Sequence, residues 1–370
     1  MSVMAHPSAR RAFPATLFAV SFALASASIS APKGYDVTKL DSNVAGAAHT
    51  DPNLLNPWGV AFNPNGFVWV ADNHSGKSTL YDGNGVVQSL VVTIPAAVGT
   101  GTGSPTGIVF SGSSDFMIPT GPPPSPGAPV PMAASRFIFA SEDGLISAWA
   151  PGLTVAVRAA TGAGANYKGL ALAGNGTANL LYAADFEGRK IDVYTGTFAA
   201  TTVPGGFRDP RVPHDYAPFN ITNIQGNLYV AYAKVDESSD EEKTGPGLGI
   251  VNVFDADGFL LKRLVSFGPL NAPWGMALAP AGFGEFSNML LVGNFGDGKI
   301  NAFDPATGAH AGTLHTRGQQ DLVIEGLWGI AFGPGIQNQP TDTLFFAAGI
   351  NDEEDGLYGR IDPQGADNPR

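Results

Sequence analysis

Cysteine is absent from this chain, and charged residues are scarce. None of the 370 residues is cysteine, and 14% are Asp, Glu, Lys or Arg. The first absence excludes disulfides, thiolate catalysis and thiolate metal sites. Lys and Arg number 20 against 32 Asp and Glu, which gives a net charge of -12 at pH 7. Because such a charge repels phosphate backbones and acidic lipids, we expect neither nucleic-acid nor membrane binding.

Two catalytic sequence motifs are also missing. The chain has no G-x-S-x-G nucleophile elbow and no G-x-x-x-x-G-K-[ST] phosphate loop. The glycines at 99–107 precede an apolar strand pattern rather than a helix, so they indicate a loop. Nucleophilic acyl transfer and nucleotide use therefore have no support in the sequence.

The N-terminus has the pattern of an export signal. Arg10 and Arg11 precede an apolar run at 15–25, which leads into Ala25-Ser26-Ala27, an A-x-A cleavage site. This predicts a secretory signal peptide over residues 1–27, and the run is too short for a permanent membrane span. We therefore expect a secreted or periplasmic protein. A buried N-terminal helix is the alternative interpretation.

One short phrase recurs six times along the chain. Its clearest copies read Trp-Gly-apolar-Ala-apolar and begin at Trp58, Trp274 and Trp328. Two others begin at Thr106 and Lys168, a degenerate copy spans 219–224, and neighbouring copies are 48 to 62 residues apart. Each copy precedes a second apolar run and a third, alternating run, and most copies have a weaker fourth. The 48 Gly and 29 Pro supply the turns between these runs.

The repeat predicts an all-β fold, a six-bladed β-propeller of four-stranded antiparallel blades. The sixth copy ends after its third strand, whereas residues 35–44 form a predicted strand with no blade of its own. We therefore expect the ring to be closed by the N-terminal strand, which removes an open edge. The propeller is predicted over residues 28–362, with a proline-rich insert at 121–131 and a C-terminal tail at 363–370.

Several stretches resemble known families. Residues 56–85, NPWGVAFNPNGFVWVADNHSGKSTLYDGNG, resemble the NHL repeat, and all six copies fit that pattern in part. Phrases such as LLVGNFGDGKINAFDPATG resemble an uncharacterised family of secreted bacterial proteins that are predicted to be six-bladed propellers. That resemblance implies the fold and export, and it brings no catalytic residues. A more distant likeness, to calcium-dependent gluconolactonase-type and streptogramin-lyase-type propellers, concerns the fold alone.

Polar residues are concentrated on one predicted face. In each blade, the loop into the inner strand and the turn between the second and third strands lie on the same side. These segments hold many of the acids, amides and histidines of the chain. We predict that this acidic face binds a small molecule, a glycan or a protein. The run of acids at 236–242 is expected to be a flexible, solvated loop.

Oxygen donors at equivalent strand ends predict a calcium site near the axis. Calcium takes about six to eight oxygen ligands from carboxylates, amides and carbonyls. The alternative is structural, because Asp and Asn at such positions also cap turns. The candidate ligands are Asn220, Asn294, Glu325, Asn351, Asp185 and Asp72.

Histidines and tryptophans complete the candidate site. His49, His74 and His214 lie in three different loops and are candidate general bases or metal ligands. Exposed loop histidines are the alternative. The three tryptophans that begin the phrase are candidate stacking residues for a flat ligand, and packing between blades is the alternative. The tryptophans are Trp58, Trp274 and Trp328.

These patterns favour a secreted, monomeric binding protein that acts through its acidic face and takes calcium as its ion. One alternative is a calcium-dependent hydrolase of the lactonase type, or a lyase, in which the ion polarises a carbonyl. The other is an extracellular scaffold protein that uses the insert at 121–131 as a polyproline-like contact. Oxygen ligands that converge beside an open axis favour an enzyme, whereas a filled axis favours a binding protein.

Overall fold

The computed structural model describes Met1, Ser2, Met4 and residues 34–239 and 241–364. Nearly all of the predicted signal peptide, and residues 365–370 of the predicted tail, lie outside this part. The described part contains 28 β-strands and one short 3-10 helix at Gly284–Phe286. None of its helices is long and apolar enough to cross a membrane.

Of these strands, 26 form six small, mainly antiparallel sheets, the blades of a propeller, and the other two form a separate hairpin. Blade 1 consists of β3 (Pro57–Phe62), β4 (Val68–Asp72), β5 (Lys77–Tyr81) and β6 (Val92–Thr93). Blade 2 consists of β7 (Pro105–Phe110), β10 (Phe137–Ser141), β11 (Leu145–Trp149) and β12 (Val157–Thr161). Blade 3 consists of β13 (Tyr167–Gly174), β14 (Asn179–Asp185), β15 (Lys190–Thr195) and β16 (Ala200–Thr201).

The second half of the ring repeats this order. Blade 4 consists of β17 (Tyr216–Ile224), β18 (Asn227–Asp236), β20 (Ile250–Phe254) and β21 (Leu260–Ser266), and β19 (Glu241–Lys243) pairs with β18. Blade 5 consists of β22 (Pro273–Leu278), β23 (Leu290–Asn294), β24 (Ile300–Phe303) and β25 (His310–Thr313). Blade 6 consists of β26 (Leu327–Phe332), β27 (Leu344–Ile350), β28 (Asp355–Pro363) and β1 (Tyr35–Ser42), with β2 (His49–Thr50) beside β1. The predicted six-bladed, all-β architecture is confirmed.

The inner strands β3, β7, β13, β17, β22 and β26 form a closed ring, because each contacts the next and the last contacts the first. The repeated phrase lies on these strands, and its glycine is required by their close approach. A Cβ atom on Gly59 would lie 2.5 Å from the carbonyl oxygen of Thr106, and one on Gly329 would lie 2.4 Å from that of Trp58. The phrase is therefore a fold signal.

The N-terminal strand closes the ring, as predicted. Strand β1 pairs antiparallel with β28, so that Tyr35 lies opposite Pro363 and Ser42 opposite Leu357. The buried hydroxyl of Tyr35 also donates a hydrogen bond to the carbonyl oxygen of Phe283, at 2.9 Å, and accepts one from the Phe286 amide, at 3.1 Å. These bonds fasten the closing strand to blade 5 as well as to blade 6.

The proline-rich insert lies between the first two strands of blade 2. It is the loop of a separate hairpin, formed by β8 (Met117–Pro119) and β9 (Met132–Ala134). Phe116 and Ile118 at its base are buried in the core shared by blades 2 and 3. Most of residues 121–131 are exposed. The hairpin is therefore anchored at its base, while its tip extends into solvent.

Candidate functional site

Aromatic side chains fill the axis at one end, here called the upper face. This face is formed by the loops into the inner strands and the turns between second and third strands. The rings of Trp58 and Trp328 stack with their centroids 3.5 Å apart, and Trp274 meets both edge-on at 6.0 and 5.8 Å. Phe219 and Phe295 extend the cluster, with ring centroids 5.7 and 4.1 Å from that of Trp328. We call these five residues the aromatic plug.

The plug brings the three predicted tryptophans together, but it turns them toward one another. Trp58 is 3% exposed, Trp274 4% and Trp328 0%. Their positions therefore match the packing interpretation rather than an open platform for a ligand. Below the plug, the remainder of the inner strands lines an axial cavity of about 450 Å³ with mostly apolar side chains.

Lys168 occupies the tryptophan position of the phrase in blade 3. Its side chain is 2% exposed, and its Nζ lies 2.7 Å from Glu142 Oε1 and 2.8 Å from Glu241 Oε2. The same Nζ lies 5.2 Å from the centre of the Trp58 ring. Burial lowers the pKa of Lys168, but the nearby carboxylates together raise it by more, so the ammonium group stays charged. A buried, charged lysine is thus held directly against the plug.

Four carboxylates surround this lysine, and we call them the acidic rim: Glu142, Glu241, Glu242 and Glu353. Burial raises the pKa of Glu242 to about 7, with Glu241 and Glu353 acting in the same direction and Lys168 opposing them. Burial also raises the pKa of Glu353. The Oε2 atom of Glu242 is buried without a hydrogen-bond partner in the described part of the chain. The rim therefore carries more negative charge than Lys168 can neutralise.

Amide side chains connect the rim to the plug. Asn56 Nδ2 donates to Glu353 Oε2 at 2.7 Å and lies 3.3 Å from His74 Nε2. Asn56 Oδ1 in turn accepts a hydrogen bond from Trp328 Nε1, at 3.2 Å. Asn56 and Glu353 both have positive φ angles, 43° and 66°, in the loop and turn that bring them to the axis. The rim is consequently positioned by the same side chains that pack the axis.

The three candidate histidines lie in different places. His74 adjoins the rim through Asn56. His49 lies in β2, opposite Asp41 at the outer edge of blade 6. His214 lines a cavity between the turn after β14 and the loop before β17. The structure thus provides no shared histidine site, and His74 is the one that belongs to the upper-face cluster.

Two of the candidate calcium ligands contact each other. Glu325 Oε1 accepts a hydrogen bond from the Asn351 amide at 2.9 Å, and Asn351 Nδ2 donates to Asp355 Oδ2 at 2.7 Å. Asn220 replaces the glycine of the phrase in blade 4, and its Nδ2 donates to the Trp274 carbonyl oxygen at 2.8 Å. Its Oδ1 accepts from the amide of Ile221, so both polar atoms of Asn220 already have partners.

The other three candidates lie within their own blades. Asp185 Oδ1 accepts hydrogen bonds from the amides of Asn166 and Gly188. Asn294 Nδ2 donates to the Pro269 carbonyl oxygen at 2.8 Å. Asp72 is fully buried, and burial raises its pKa well above the usual range. Across residues 34–239 and 241–364, no three His, Asp or Glu side chains form a group that could hold a metal ion. The calcium site stays a prediction.

The acidic stretch at 236–242 differs from its expected form as a solvated loop. Strand β18 continues to Asp236, and β19 pairs back onto it with Val235 opposite Glu242. This pairing carries Glu241 and Glu242 to Lys168. The sequence contains one signal for the site, because the first residue of the repeated phrase is aromatic in most copies and is a lysine, Lys168, in the third. The partners of that lysine could not be chosen from the many acids of the upper face.

Comparison with known proteins agrees with this architecture. The NHL repeat family matches residues 54–77, which contain the first copy of the phrase. The uncharacterized protein R648 of Acanthamoeba polyphaga mimivirus is 34% identical over 328 residues, which are 85% of this chain and 76% of that protein. The uncharacterized protein L690 of the same virus is 35% identical over 331 residues, 85% of this chain and 82% of its own length.

The two relatives are uncharacterized viral proteins, and neither match concerns a bacterial family, export or gluconolactonases. Those three expectations therefore stay predictions. The repeat, the number of blades and the extent of the matches are consistent with one another. The chain is a six-bladed NHL-repeat β-propeller, and it belongs to the same family as these uncharacterized mimivirus proteins.

Proposed function

We propose that this propeller is a binding protein that takes a cationic group of its ligand at the acidic rim. The observation that supports this proposal is the charge of the rim, where four carboxylates surround one lysine. Glu142 and Glu241 pair with Lys168, whereas Glu242 and Glu353 form no ion pair in the part of the chain described. These last two carboxylates are the ones offered to a ligand.

The physical argument concerns the cost of burying charge. A carboxylate that loses its hydration without gaining an opposite charge is destabilised, and the raised pKa values of Glu242 and Glu353 reflect that cost. Glu353 has one neutral partner, Asn56, whereas Oε2 of Glu242 has none in the described residues. An ammonium or guanidinium group placed between them would supply donors and opposite charge. Lys168 already demonstrates such an arrangement, with its Nζ between two carboxylate oxygens at 2.7 and 2.8 Å.

A binding role is favoured over catalysis at the upper face because the axis is filled there, although a cavity lined mostly by apolar side chains continues below the plug. The aromatic plug lies directly beneath the rim. It fills the upper end of the axis, where an enzyme of the predicted type would need an open substrate pocket. His74 adjoins the rim, but the other two candidate bases lie elsewhere. The hydrolase, lyase and scaffold alternatives stay predictions, as do export and the monomeric state.

The test is calorimetric titration of the purified chain with agmatine, which carries both an ammonium and a guanidinium group. We expect the double variant Glu242→Gln with Glu353→Gln to bind agmatine at least about ten-fold more weakly, since two ligand charges are removed. Glu187→Gln, an exposed acid in the turn after β14, is the matched control and should bind like the wild type. Equal affinity of the double variant and the wild type would refute the proposal.

Calcium needs a separate test. Melting curves of the wild type and of Glu325→Gln are compared in millimolar calcium and after chelation, because an ion that binds the folded state raises the melting temperature. A calcium-dependent rise that Glu325→Gln weakens would support the predicted axial ion. If calcium does not change the melting temperature of the wild type, both the axial calcium site and the calcium-dependent enzyme hypothesis are refuted.

A further inference from the structure

A second cavity, of about 650 Å³, lies beside blades 3 and 4 and contains none of the rim residues. Its walls are the turn between β14 and β15 and the loop that leads into β17. We call it the side cavity. The lining residues that matter here are Arg189, Arg208, His214, Phe207, Tyr216 and Tyr232. Its volume falls within the roughly 300–1,000 Å³ of ordinary small-molecule sites.

The side cavity is basic in a protein that is acidic as a whole. Arg189 and Arg208 are both exposed there, and for Arg208 we find no ion pair or hydrogen bond in the described residues. Arg189 Nη1 donates to the carbonyl oxygen of His214, which joins the two walls. Lys190 also lines the side cavity, but it is already paired with Asp192 at 2.6 Å. The two guanidinium groups therefore supply the uncompensated charge.

Neighbouring acids do not neutralise this charge. Asp209 lies next to Arg208 in the chain, but its Oδ2 accepts a hydrogen bond from Arg263 Nε at 2.8 Å and forms an ion pair with the same guanidinium group. Its Oδ1 accepts one from the backbone amide of Arg211 at 2.9 Å. Asp209 is 9% exposed, so it is turned toward these partners rather than toward solvent. Asp209 does line the side cavity, but its charge is already compensated by Arg263 and by the Arg211 amide, so a negative group entering there would still meet two uncompensated guanidinium groups.

Aromatic residues form the apolar part of the lining. Phe207 is 8% exposed and packs edge-on against Tyr182, with ring centroids 5.6 Å apart. It also packs against Phe254 in a tilted arrangement, with centroids 5.2 Å apart. Tyr216 and Tyr232 are 7% and 6% exposed. Burial raises the pKa of both tyrosines, so their hydroxyl groups stay neutral and remain able to donate hydrogen bonds. The lining is therefore packed in place and combines apolar surface with polar groups.

We propose that the side cavity binds a small organic anion, in which a carboxylate or phosphate group is attached to an aromatic or other apolar body. The guanidinium groups of Arg208 and Arg189 would hold the anionic group, since their planar donors match carboxylate and phosphate oxygens. The apolar body would pack on Phe207 and the two tyrosines. The rim selects a cation, so the two sites recognise ligands of opposite charge.

The test uses phenyl phosphate and benzoate as probes, with inorganic phosphate for comparison, in calorimetric titrations of the full chain. We expect both aromatic anions to bind at least about ten-fold more tightly than inorganic phosphate, because the ring adds buried apolar area. The stronger of the two aromatic probes identifies which anionic group the side cavity prefers. Equal binding of inorganic phosphate and phenyl phosphate would refute the apolar part of the proposal.

Substitution of Arg208 tests the location. Arg208→Ala should weaken the binding of the better probe at least about ten-fold, and Arg208→Glu should abolish it, without a change in melting temperature. Arg317→Ala is the matched control, because Arg317 is an exposed arginine outside the side cavity. Wild-type affinity in Arg208→Glu would overturn the proposal. Arg189→Ala serves as a second variant, provided that its melting curve matches that of the wild type, because Arg189 also joins the walls.

Discussion

The first residue of the repeated phrase differs between the blades of the ring. In blades 1, 5 and 6 it is tryptophan, and the three rings pack together into the plug. In blade 3 it is Lys168, which instead gathers carboxylates from blades 2 and 4. The backbone is alike in the two kinds of blade, since the glycine that follows this residue lies close to the next inner strand in blades 1, 3 and 6. The fold thus fixes the position, and the side chain decides whether it seals the axis or carries charge.

The aromatic plug should be more sensitive to truncation than the charged cluster around Lys168. Trp328→Ala removes a ring that contacts Trp58, Trp274 and Phe295 and is 0% exposed. We expect a loss of about 3 to 5 kcal/mol in the free energy of unfolding, because a cavity replaces a packed aromatic side chain. Denaturant unfolding measures this loss. A loss below about 1 kcal/mol would show that the plug contributes little to closing the ring.

The cluster of Lys168 and the acidic rim should lose stability when its cation is removed. Lys168→Met keeps most of the side-chain volume but leaves the rim carboxylates without their partner. We expect a loss of about 2 kcal/mol at pH 8, because the carboxylates lose their cation but Glu142 and Glu241 are 28% and 53% exposed, so water screens part of the remaining charge. Lys190→Met, which alters a 55% exposed lysine, is the control and should cost less than about 1 kcal/mol. Equal losses of stability in the two variants would contradict a larger contribution from the buried Lys168 than from the exposed Lys190.

The pH dependence of stability should also differ between rim and plug. Because the pKa of Glu242 is raised to about 7 in the folded state, its protonated form is favoured there. Stability should therefore fall as pH rises from about 4.5 to 7. Glu242→Gln should gain roughly 1 to 2 kcal/mol over the wild type at pH 8 and almost nothing at pH 4. Unfolding curves at the two pH values check this, and an equal gain at both would exclude a titrating Glu242.

The smallest effect is expected far from the axis. Replacing residues 121–131 with a short Gly/Ser turn should change the free energy of unfolding by less than about 1 kcal/mol, because the tip is largely exposed. Phe116 and Ile118 at the base of the hairpin are retained, since they are buried. If this variant fails to fold, then the tip contributes to the packing of the protein.

The sequence by itself determined the fold. Each copy of the phrase brings its own strand pattern and turns, and in five of the six copies its glycine allows two inner strands to approach closely. The unpaired strand near Tyr35 and the missing fourth strand of the last copy together predicted the closure that β1 and β28 make. These features are local or periodic, so they can be recognised one repeat at a time.

The tertiary structure alone decided the sites. Lys168, Glu242 and Glu353 lie far apart in the chain, and they meet because blades 3, 4 and 6 direct their loops toward a common axis. Arg208 likewise becomes part of a cavity through a turn of the preceding blade. Sequence patterns identified the polar face but not these groupings, because each one depends on how the blades are rotated about the axis and how far their loops reach across it.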